Sequence, residues 1–401
     1  MLRRAVNPLG IGVGGRRAVE AKKTLHLLLV GELFGLHTMR QILQANGLKS
    51  NNWSKVCKSL SYKKISLFVN HALLHALRTR LVELGSKSAS TWSRAEVTIV
   101  LDDSIFKQWL SNEPIGEHFA KYFSGQVGKA VYGFRVTLCG VSIADTFYPA
   151  HLELTPKSAD SRQTACRLLK ELHGFIAKLA ASKGLLAPNL FVSADSGFDG
   201  PALLDTCASL GEGLPLTPIC VPKKSNLIKC GDFKGKLSDF IEKEFLPQEA
   251  AHIKQYVEKK QQPPPFTLRI KANYVSRKQQ MVFLFFRLRG SKKVSVIYST
   301  DLSAKAKTLR RHWFQRTLIE QFFRFLKDTL KIQQAKNTDK EGFERKLLVF
   351  VFKALQCQLF RNFCRKRFRP LKGWAFSKIR QRIAFDGIEK QMLADLLLHP
   401  D

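Results

Sequence analysis

Apolar runs with β-branched residues alternate with amphipathic segments through the middle of the chain. Strands are predicted at residues 97–101, 131–143, 147–154, 190–194 and about 214–221. Helices are predicted from a 3.6-residue apolar spacing at residues 161–181 and about 200–209. Three consecutive strands followed by alternating helices and strands imply one mixed sheet with helices on its faces.

The pattern of polar and apolar residues changes after residue 222. Residues 223–294 start with a basic, polar stretch and continue with strand patterns at 266–275 and 281–288, which predicts a β-rich insertion. A strand at 294–298 leads back, and long helices are predicted at 303–332 and about 341–363. This order of elements is that of the ribonuclease-H-like α/β fold, with the insertion placed before the first long helix.

Charge is the first indication of function. The 401 residues contain 66 Lys and Arg against 32 Asp and Glu, which gives a net charge of +34. Positive charges at this density repel one another, so a polyanionic partner is expected. A membrane partner is disfavoured because no run approaches the roughly 20 apolar residues of a spanning helix. Eight cysteines without a Cys-x-x-Cys pair fit a reducing cytosol better than a disulfide or zinc framework. Nucleic acid is therefore the expected partner.

Five regions are expected from these patterns. A basic helical N-terminal domain (1–93) serves either as a packing module or for recognition of a DNA end, and its sequence leaves both readings open. A catalytic core follows in two parts, 94–222 and 295–365, separated by the insertion at 223–294. Residues 366–401 form a basic, helical C-terminal tail.

Two carboxylates stand where apolar strands are predicted to end. Asp102 follows the first strand and Asp195 follows the strand at 190–194. Ligands gather at the carboxyl ends of strands in open sheets, and two adjacent carboxylates are tolerable when they share a divalent metal. Each Asp alone could equally be a turn former or a helix cap. Asp103 is the alternative to Asp102, because the pair cannot be separated by sequence.

A third carboxylate lies on the first long helix. In an ideal helix Trp313, Arg316, Glu320 and Lys327 fall within roughly 60° of arc, opposite an apolar stripe. That stripe consists of Leu318, Ile319, Phe322, Phe325, Leu326 and Leu330. The exposed face would present Glu320 toward the two strand-end aspartates. The alternative is that Glu320 only neutralises the surrounding cations in a salt bridge.

These motifs together resemble a known family. Arg316, Glu320 and Lys327 match the pattern Tyr-x2-Arg-x3-Glu-x6-Lys, with Trp313 at the Tyr position. The pattern is the signature of bacterial insertion-sequence transposases of the insertion-sequence-4 type, within the three-carboxylate (DDE) superfamily. Asp195-Ser196-Gly197-Phe198 and Asp102-Asp103-Ser104 resemble the motifs around that family's other two carboxylates. The resemblance covers residues 95 to 365.

The resemblance implies a transposase in which Asp102, Asp195 and Glu320 bind two Mg²⁺ ions, with Mn²⁺ as an alternative, and catalyse DNA cleavage and strand transfer. Its partners would be double-stranded DNA, at the element ends and the target, and a second copy of the chain in a synaptic homodimer. No membrane partner is expected, and the location would be the bacterial cytoplasm at the nucleoid. The expected DNA-contacting residues are Trp313, Arg316, Arg324, Lys327, Arg361, Arg365, Lys366 and Arg367.

Two departures from the family pattern matter. Trp313 lacks the hydroxyl of the signature Tyr, and residues 223–294 contain no Trp that could hold a flipped base. The second departure leaves cleavage through a DNA hairpin in doubt. Two alternative functions remain: a catalytically inactive, transposase-derived DNA-binding protein and a purely hydrolytic nuclease of the same fold.

Overall fold

The computed structural model describes residues 62–85, 97–107, 117–124, 128–184, 190–288, 290–330, 332–334 and 340–367. Most of the predicted N-terminal domain and nearly all of the predicted C-terminal tail lie outside these residues. The chain divides into two compact units. The first comprises the described residues of 1–77, 105–135 and 322–401, and the second those of 78–104 and 136–321.

The strands are rich in β-branched and aromatic residues, as pleated and largely buried segments require. Their bounds are β1 (Thr98–Lys107), β2 (Phe119–Ser124), β3 (Lys129–Ile143), β4 (Thr146–Leu154), β5 (Leu190–Ala194), β6 (Leu216–Cys220), β7 (Leu227–Cys230), β8 (Phe233–Lys236), β9 (Thr267–Tyr274), β10 (Gln279–Arg287) and β11 (Val294–Ser299).

The helices follow the predicted amphipathic segments closely in the first half of the chain. Their bounds are α1 (Tyr62–Gly85), α2 (Ser161–Lys183), α3 (Pro201–Gly211), α4 (Leu237–Phe240), α5 (Leu246–Glu258), α6 (Ala306–Gln315), α7 (Thr317–Arg324) and α8 (Lys340–Arg367). Wider π turns join α4 to α5 (Ile241–Phe245) and follow α7 (Phe325–Thr329), and short 3-10 turns lie at Val275–Arg277 and Ile332–Gln334. None of the helices in the described part of the chain has the length and hydropathy needed to cross a membrane.

The second unit is built on one mixed sheet. Its first five strands lie in the order β4-β3-β1-β5-β6. β3 and β4 are antiparallel, whereas β1, β5 and β6 run parallel to one another. The helices α2 and α3 connect β4 to β5 and β5 to β6 as crossovers. This arrangement confirms the ribonuclease-H-like α/β fold predicted from the order of elements.

The predicted insertion continues this sheet. β11 pairs antiparallel with β6, and β10 lies between β11 and β9. β9 is followed by β7 and then β8, two short strands that the sequence patterns did not predict. Arg287 on β10 also forms a two-pronged ion pair with the buried Glu249 of α5, at 2.7 and 3.0 Å. The strands between residues 223 and 294 are therefore hydrogen-bonded into the core sheet.

Aromatic packing dominates the first unit. Phe134 stacks on Phe343 with ring centroids 4.2 Å apart, and Phe106 contacts both Phe323 and Phe343 at 6.0 Å. In the same unit the early part of β3 pairs with β2, another strand that was not predicted. Large aromatic rings bury much apolar surface per residue, so this unit gains a core from few side chains.

The helix predicted at 303–332 is confirmed in part: helical segments run from Ala306 to Thr329, with an interruption at Arg316. α6 ends at Gln315, a turn at Arg316 precedes α7, and α7 runs into the π turn at Phe325–Thr329. The buried stripe is partly confirmed: Ile319, Phe322, Leu326 and Leu330 are buried, whereas Leu318 and Phe325 are half-buried. Apolar periodicity reports burial, but it does not register a one-residue turn between two helical segments.

Helix α6 is fixed to the central strands by a buried histidine. The His312 Nδ1 atom lies 2.7 Å from the Thr98 hydroxyl of β1, and its ring stacks on Phe191 of β5 at 3.9 Å. At the end of α6, the Ser142 hydroxyl of β3 donates to the Gln315 carbonyl at 3.0 Å. These contacts determine where the chain enters α7.

We expect acid to destabilise the second unit through His312. Burial, with a smaller contribution from Arg311, lowers the pKa of His312 to about 4. The stability gained from holding it neutral is present above its ordinary pKa and is lost as pH falls toward 4. Urea unfolding at pH 7 and pH 4.5 should show a loss of about 2 kcal/mol that His312→Gln lacks. An equal loss in both proteins would contradict this assignment.

Candidate active site

The register of two parallel strands brings the first two predicted carboxylates together. β1 pairs with β5 from Thr98 opposite Phe191 to Leu101 opposite Ala194. The next residues are Asp102 on β1 and Asp195 just beyond the end of β5, so they occupy adjacent positions about 4.8 Å apart in the pairing direction. The expectation that β1 ends before Asp102 is wrong, because β1 continues to Lys107. Asp102 instead lies where the neighbouring strand ends.

Asp102 is the electrostatic centre of this region. Its side chain is buried, and desolvation raises its pKa well above the ordinary value. The negative charge of Asp195 raises the pKa further, and Asp103 and Glu320 add smaller increases, whereas Arg316 lowers it. The charges of Asp195 and Glu320 therefore both oppose ionisation of Asp102, and the charge of Arg316 partly offsets them.

The strand geometry separates Asp102 from Asp103. Successive side chains of a strand point to opposite faces of the sheet. Asp102 is 8% exposed and its Oδ1 atom accepts the Asp103 backbone N–H at 2.9 Å, whereas Asp103 is half-buried. The neighbouring charges of Asp195, Glu320 and Arg316 act on Asp102. The geometry favours Asp102 as the member of the carboxylate cluster.

A tight turn positions Asp195. Its Oδ1 atom accepts the Gly197 backbone N–H at 2.8 Å, and the Gly197 carbonyl accepts Arg162 Nε of α2 at 2.9 Å. A Cβ atom at residue 197 would lie 3.0 Å from the same carboxylate oxygen. Glycine therefore lets the backbone approach the Asp195 carboxylate without crowding it.

Sequence reasoning missed a buried carboxylate four residues further on. Asp199 is 6% exposed and accepts the Tyr298 hydroxyl at 2.6 Å and the Tyr274 hydroxyl at 3.1 Å. Asn226 Nδ2 donates to it at 3.3 Å, and Arg277 lies 3.8 Å away. The signal in the sequence was a second Asp within the Asp195 turn, but its partners come from the distant strands β9 and β11 and the loop before β7.

Glu320 is held by the preceding turn of the chain. Its Oε1 atom lies 2.7 Å from Arg316 Nη1. The Glu320 side chain is 39% exposed and the Arg316 side chain only 15%, so the arginine is the more buried partner. The ion pair that the sequence left open as an alternative is therefore present. The charges of both groups also act on Asp102, so the pair belongs to the carboxylate cluster.

The structure does not present Trp313 to a ligand. Its side chain is 9% exposed and belongs to a hydrophobic cluster with Ile219, Leu284 and Ile297. It packs edge-on against Phe286 at 5.3 Å. The prediction that Trp313 shares an exposed face with Glu320 is wrong, because the packing of α6 against the sheet buries Trp313.

The remaining predicted DNA contacts lie in the first unit. Arg324 is exposed, and Lys327 is half-buried with its Nζ atom 5.2 Å from the centroid of the Phe106 ring. Arg361, Arg365, Lys366 and Arg367 lie on the backbone of α8, but their side chains fall outside the described atoms. Their roles stay predictions.

The donor set suits a hard divalent cation. Asp102, Asp195 and Glu320 offer only carboxylate oxygens, the ligands that Mg²⁺ prefers. A cation among them would relieve the repulsion that raises the pKa of Asp102. Among the described residues no group of three His, Cys, Asp or Glu side chains is already gathered around one point, and Glu320 is engaged with Arg316.

Comparison with known proteins gives a family match for the central part of the chain. A family model described as a transposase DDE domain matches residues 111–354, a segment that includes Asp195 and Glu320 and begins after Asp102. Among solved structures, the chain is similar to one in the cryo-EM structure of a piggyBac transposase synaptic complex with hairpin DNA. That likeness has 10% identity and a TM-score of 0.46, and covers 100% of this chain and 81% of that chain. No curated protein sequence matches the chain.

The Asp199 contacts predict a measurable contribution to stability. Burial raises the pKa of Tyr298 far above its ordinary value, so its hydroxyl stays protonated and donates to Asp199. Tyr298→Phe should lower the free energy of unfolding by about 1.5–3 kcal/mol, because a buried carboxylate loses a donor. Urea denaturation measures this, with Tyr256→Phe on α5 as the control. Equal effects of the two variants would remove the argument for the Asp199 network.

Proposed function

The chain belongs to the family of transposase DDE domains, and we propose that it is a metal-dependent DNA transposase with Asp102, Asp195 and Glu320 as its catalytic carboxylates. The observation that carries the residue assignment is the β1–β5 register, which sets Asp102 beside Asp195. The dependence of the Asp102 pKa on Glu320 and Arg316 supports placing the third carboxylate in the same cluster.

The proposed reaction follows from the chemistry of the donor set. Phosphodiesters are anionic and resist nucleophiles, and two bound Mg²⁺ ions would activate a water or a 3′-hydroxyl and stabilise the leaving oxygen. Asp102, Asp195 and Glu320 would together hold the metal, with the buried Asp102 as the innermost of the three. The Gly197 amide keeps the Asp195 carboxylate in a fixed orientation. No covalent intermediate on the protein is required.

Arg316 is proposed to have two roles. Without ligands its guanidinium offsets the charges of Asp102 and Glu320. Cations bound by the carboxylates would take over that role and leave the guanidinium to bind a phosphate beside the scissile bond. Arginine suits this task because its planar fork matches two phosphate oxygens and stays charged at any working pH.

The proposed type of transposase and its DNA partner rest on sequence spacing and net charge. The Arg-x3-Glu-x6-Lys spacing of Arg316, Glu320 and Lys327 supports a bacterial insertion-sequence transposase of the insertion-sequence-4 type, acting at the nucleoid. The net charge of +34 supports double-stranded DNA as the partner. Joining two element ends would require a synaptic homodimer.

The Arg316–Glu320 ion pair also favours one competing function. A transposase-derived protein that only binds DNA would keep this pair permanently, as a structural salt bridge without metal. Catalysis instead requires that Glu320 be available to a cation. The two functions differ in what the carboxylate does once Mg²⁺ is supplied.

We expect Glu320→Gln to abolish Mg²⁺-dependent cleavage of DNA that carries the sequences flanking the gene. Binding to that DNA should change by less than about 3-fold, because one neutralised carboxylate removes no cation that contacts phosphate. Glu258→Gln, at an exposed position on α5, is the matched control. Cleavage that persists in Glu320→Gln would exclude the assignment, and an inactive wild-type chain that still binds would favour the DNA-binding alternative.

A second comparison separates the neighbouring aspartates. Asp102→Asn should eliminate cleavage and also the Mg²⁺-dependent rise in melting temperature, because the innermost ligand is lost. Asp103→Asn should retain both, since its side chain lies on the opposite face of β1. The cleavage assay measures the first effect. Thermal unfolding with and without Mg²⁺ measures the second. The reverse ranking would assign the ligand to Asp103.

A further inference from the structure

One face of α6 remains unused by the carboxylate cluster. Lys307, Arg310, Arg311 and Phe314 are spaced i, i+3, i+4 and i+7, so they form one stripe along the helix. The opposite side of α6 carries the buried Leu309, His312 and Trp313. The stripe therefore faces away from the core and combines three cations with one aromatic ring.

The stripe forms a wall of an open groove. The groove has a volume of about 470 Å³ and is lined by Thr267, Ala306, Lys307, Arg310, Arg311 and Phe314. Thr267 begins β9, so the lining combines α6 with the start of one strand of the sheet. Arg269 of β9 donates to the carbonyls of Ala304 and Leu302 at 3.0 and 2.7 Å, which fixes β9 to the loop that leads into α6. The groove is built on rigid elements.

Arg310 is held in place by aromatic rings. Its guanidinium lies 5.2 Å from the centroid of Phe286 and 5.6 Å from that of Phe314. Such contacts order a long side chain but leave its N–H groups free to donate in the plane of the guanidinium. Phe314 also contacts Trp313 edge-on at 5.1 Å, yet 36% of it stays exposed. A supported ring is thus presented beside fixed cations.

The start of α6 adds to the positive character of the groove. Ala306, in the groove lining, is the first helical residue, and Lys305 provides no side-chain cap for the backbone N–H groups. Uncapped N–H groups and the helix dipole favour an anion at this end. Lys307 in the same turn supplies a full charge. Phosphate groups are the anions that a DNA partner would bring.

The groove adjoins the carboxylate cluster at its Phe314 end and extends away from it toward β9. The sheet order places β6, β11 and β10 between β5, which leads to Asp195, and β9, which carries Thr267. Four strand spacings put the Thr267 end of the groove about 19 Å from β5. Phe314, at the other end, precedes Arg316 by two residues, about 3 Å along the helix axis. A DNA strand in the groove would therefore extend from the neighbourhood of the reacting bond toward β9.

We propose that this groove binds a segment of DNA with unpaired bases, with a base stacked on Phe314 and phosphates held by Lys307, Arg310 and Arg311. The cations alone would serve a duplex equally well. The exposed ring distinguishes the two, because a base offers its flat face only when it is unstacked, and aromatic platforms beside cationic grooves are the recurring device for single strands. The inference deepens the proposed transposase function by adding a site for strands that are opened near the reacting bond.

The test measures binding to a 20-nucleotide oligo(dT) and to a 20-base-pair duplex, in EDTA so that no cleavage occurs. Stacking of one base is worth about 1–3 kcal/mol, so Phe314→Ala should raise the Kd for the single strand by roughly 5- to 100-fold. The Kd for the duplex should change by less than about 2-fold. Phe314→Trp should restore single-strand binding, because an indole is also a stacking platform. Val257→Ala, at an exposed apolar position on α5, is the matched control.

Two further readouts complete the test. A 2-aminopurine in the oligonucleotide should lose fluorescence on binding the wild type and regain it with Phe314→Ala. Arg310→Gln should lower the salt slope of single-strand binding by about 0.7, the value for one phosphate contact. Equal effects of Phe314→Ala on single strand and duplex, or no effect on either, would overturn the proposal. Either result leaves the Glu320→Gln cleavage test untouched, so failure of the groove and failure of the transposase assignment are distinguishable.

Discussion

The parallel pairing of β1 with β5 is the constraint on which the rest of the site depends. Its register sets Asp102 beside Asp195, and it does so within a buried part of the sheet. Burial and the nearby charge of Asp195 make Asp102 resist ionisation, as its raised pKa shows. The fold therefore concentrates negative charge at one point and must supply positive charge nearby. The backbone pairing of β1 with β5 and the burial of their apolar side chains hold Asp102 and Asp195 together despite the repulsion between their charges.

Helix placement supplies that positive charge. α6 is fixed to β1 and β5 through His312 and to β3 through Gln315, so the turn at Arg316 falls beside the aspartates. Between α6 and α7 the Arg316 N–H donates to the Trp313 carbonyl and the Ile319 N–H to the Arg316 carbonyl, both at 3.1 Å. Trp313 enters the core on one side of this junction, while Arg316 and Glu320 stay together at the carboxylate cluster.

The region between residues 223 and 294 supports the site from the other side. Its strands extend the sheet beyond β6, and Tyr274 and Asn226 donate to Asp199, next to the turn that carries Asp195. Tyr298 of β11 adds the shortest of these hydrogen bonds. The segment after β5 is thus held by the strand before Asp195 and, at Asp199, by groups distant in sequence. The same extension provides β9, against which the cationic groove of α6 is formed.

The sequence by itself determined the ribonuclease-H-like fold and the succession of core strands and helices along the chain, because apolar periodicity and turn residues are local signals. Its selection of Asp195 and Glu320 as catalytic residues stays a prediction. Only the tertiary structure favours Asp102 over Asp103, because that choice depends on the face of β1 that meets Asp195. It also decided the burial of Trp313, the turn at Arg316 and the partners of Asp199. Each of these is set by packing between elements far apart in the chain, and local periodicity carries no information about such register.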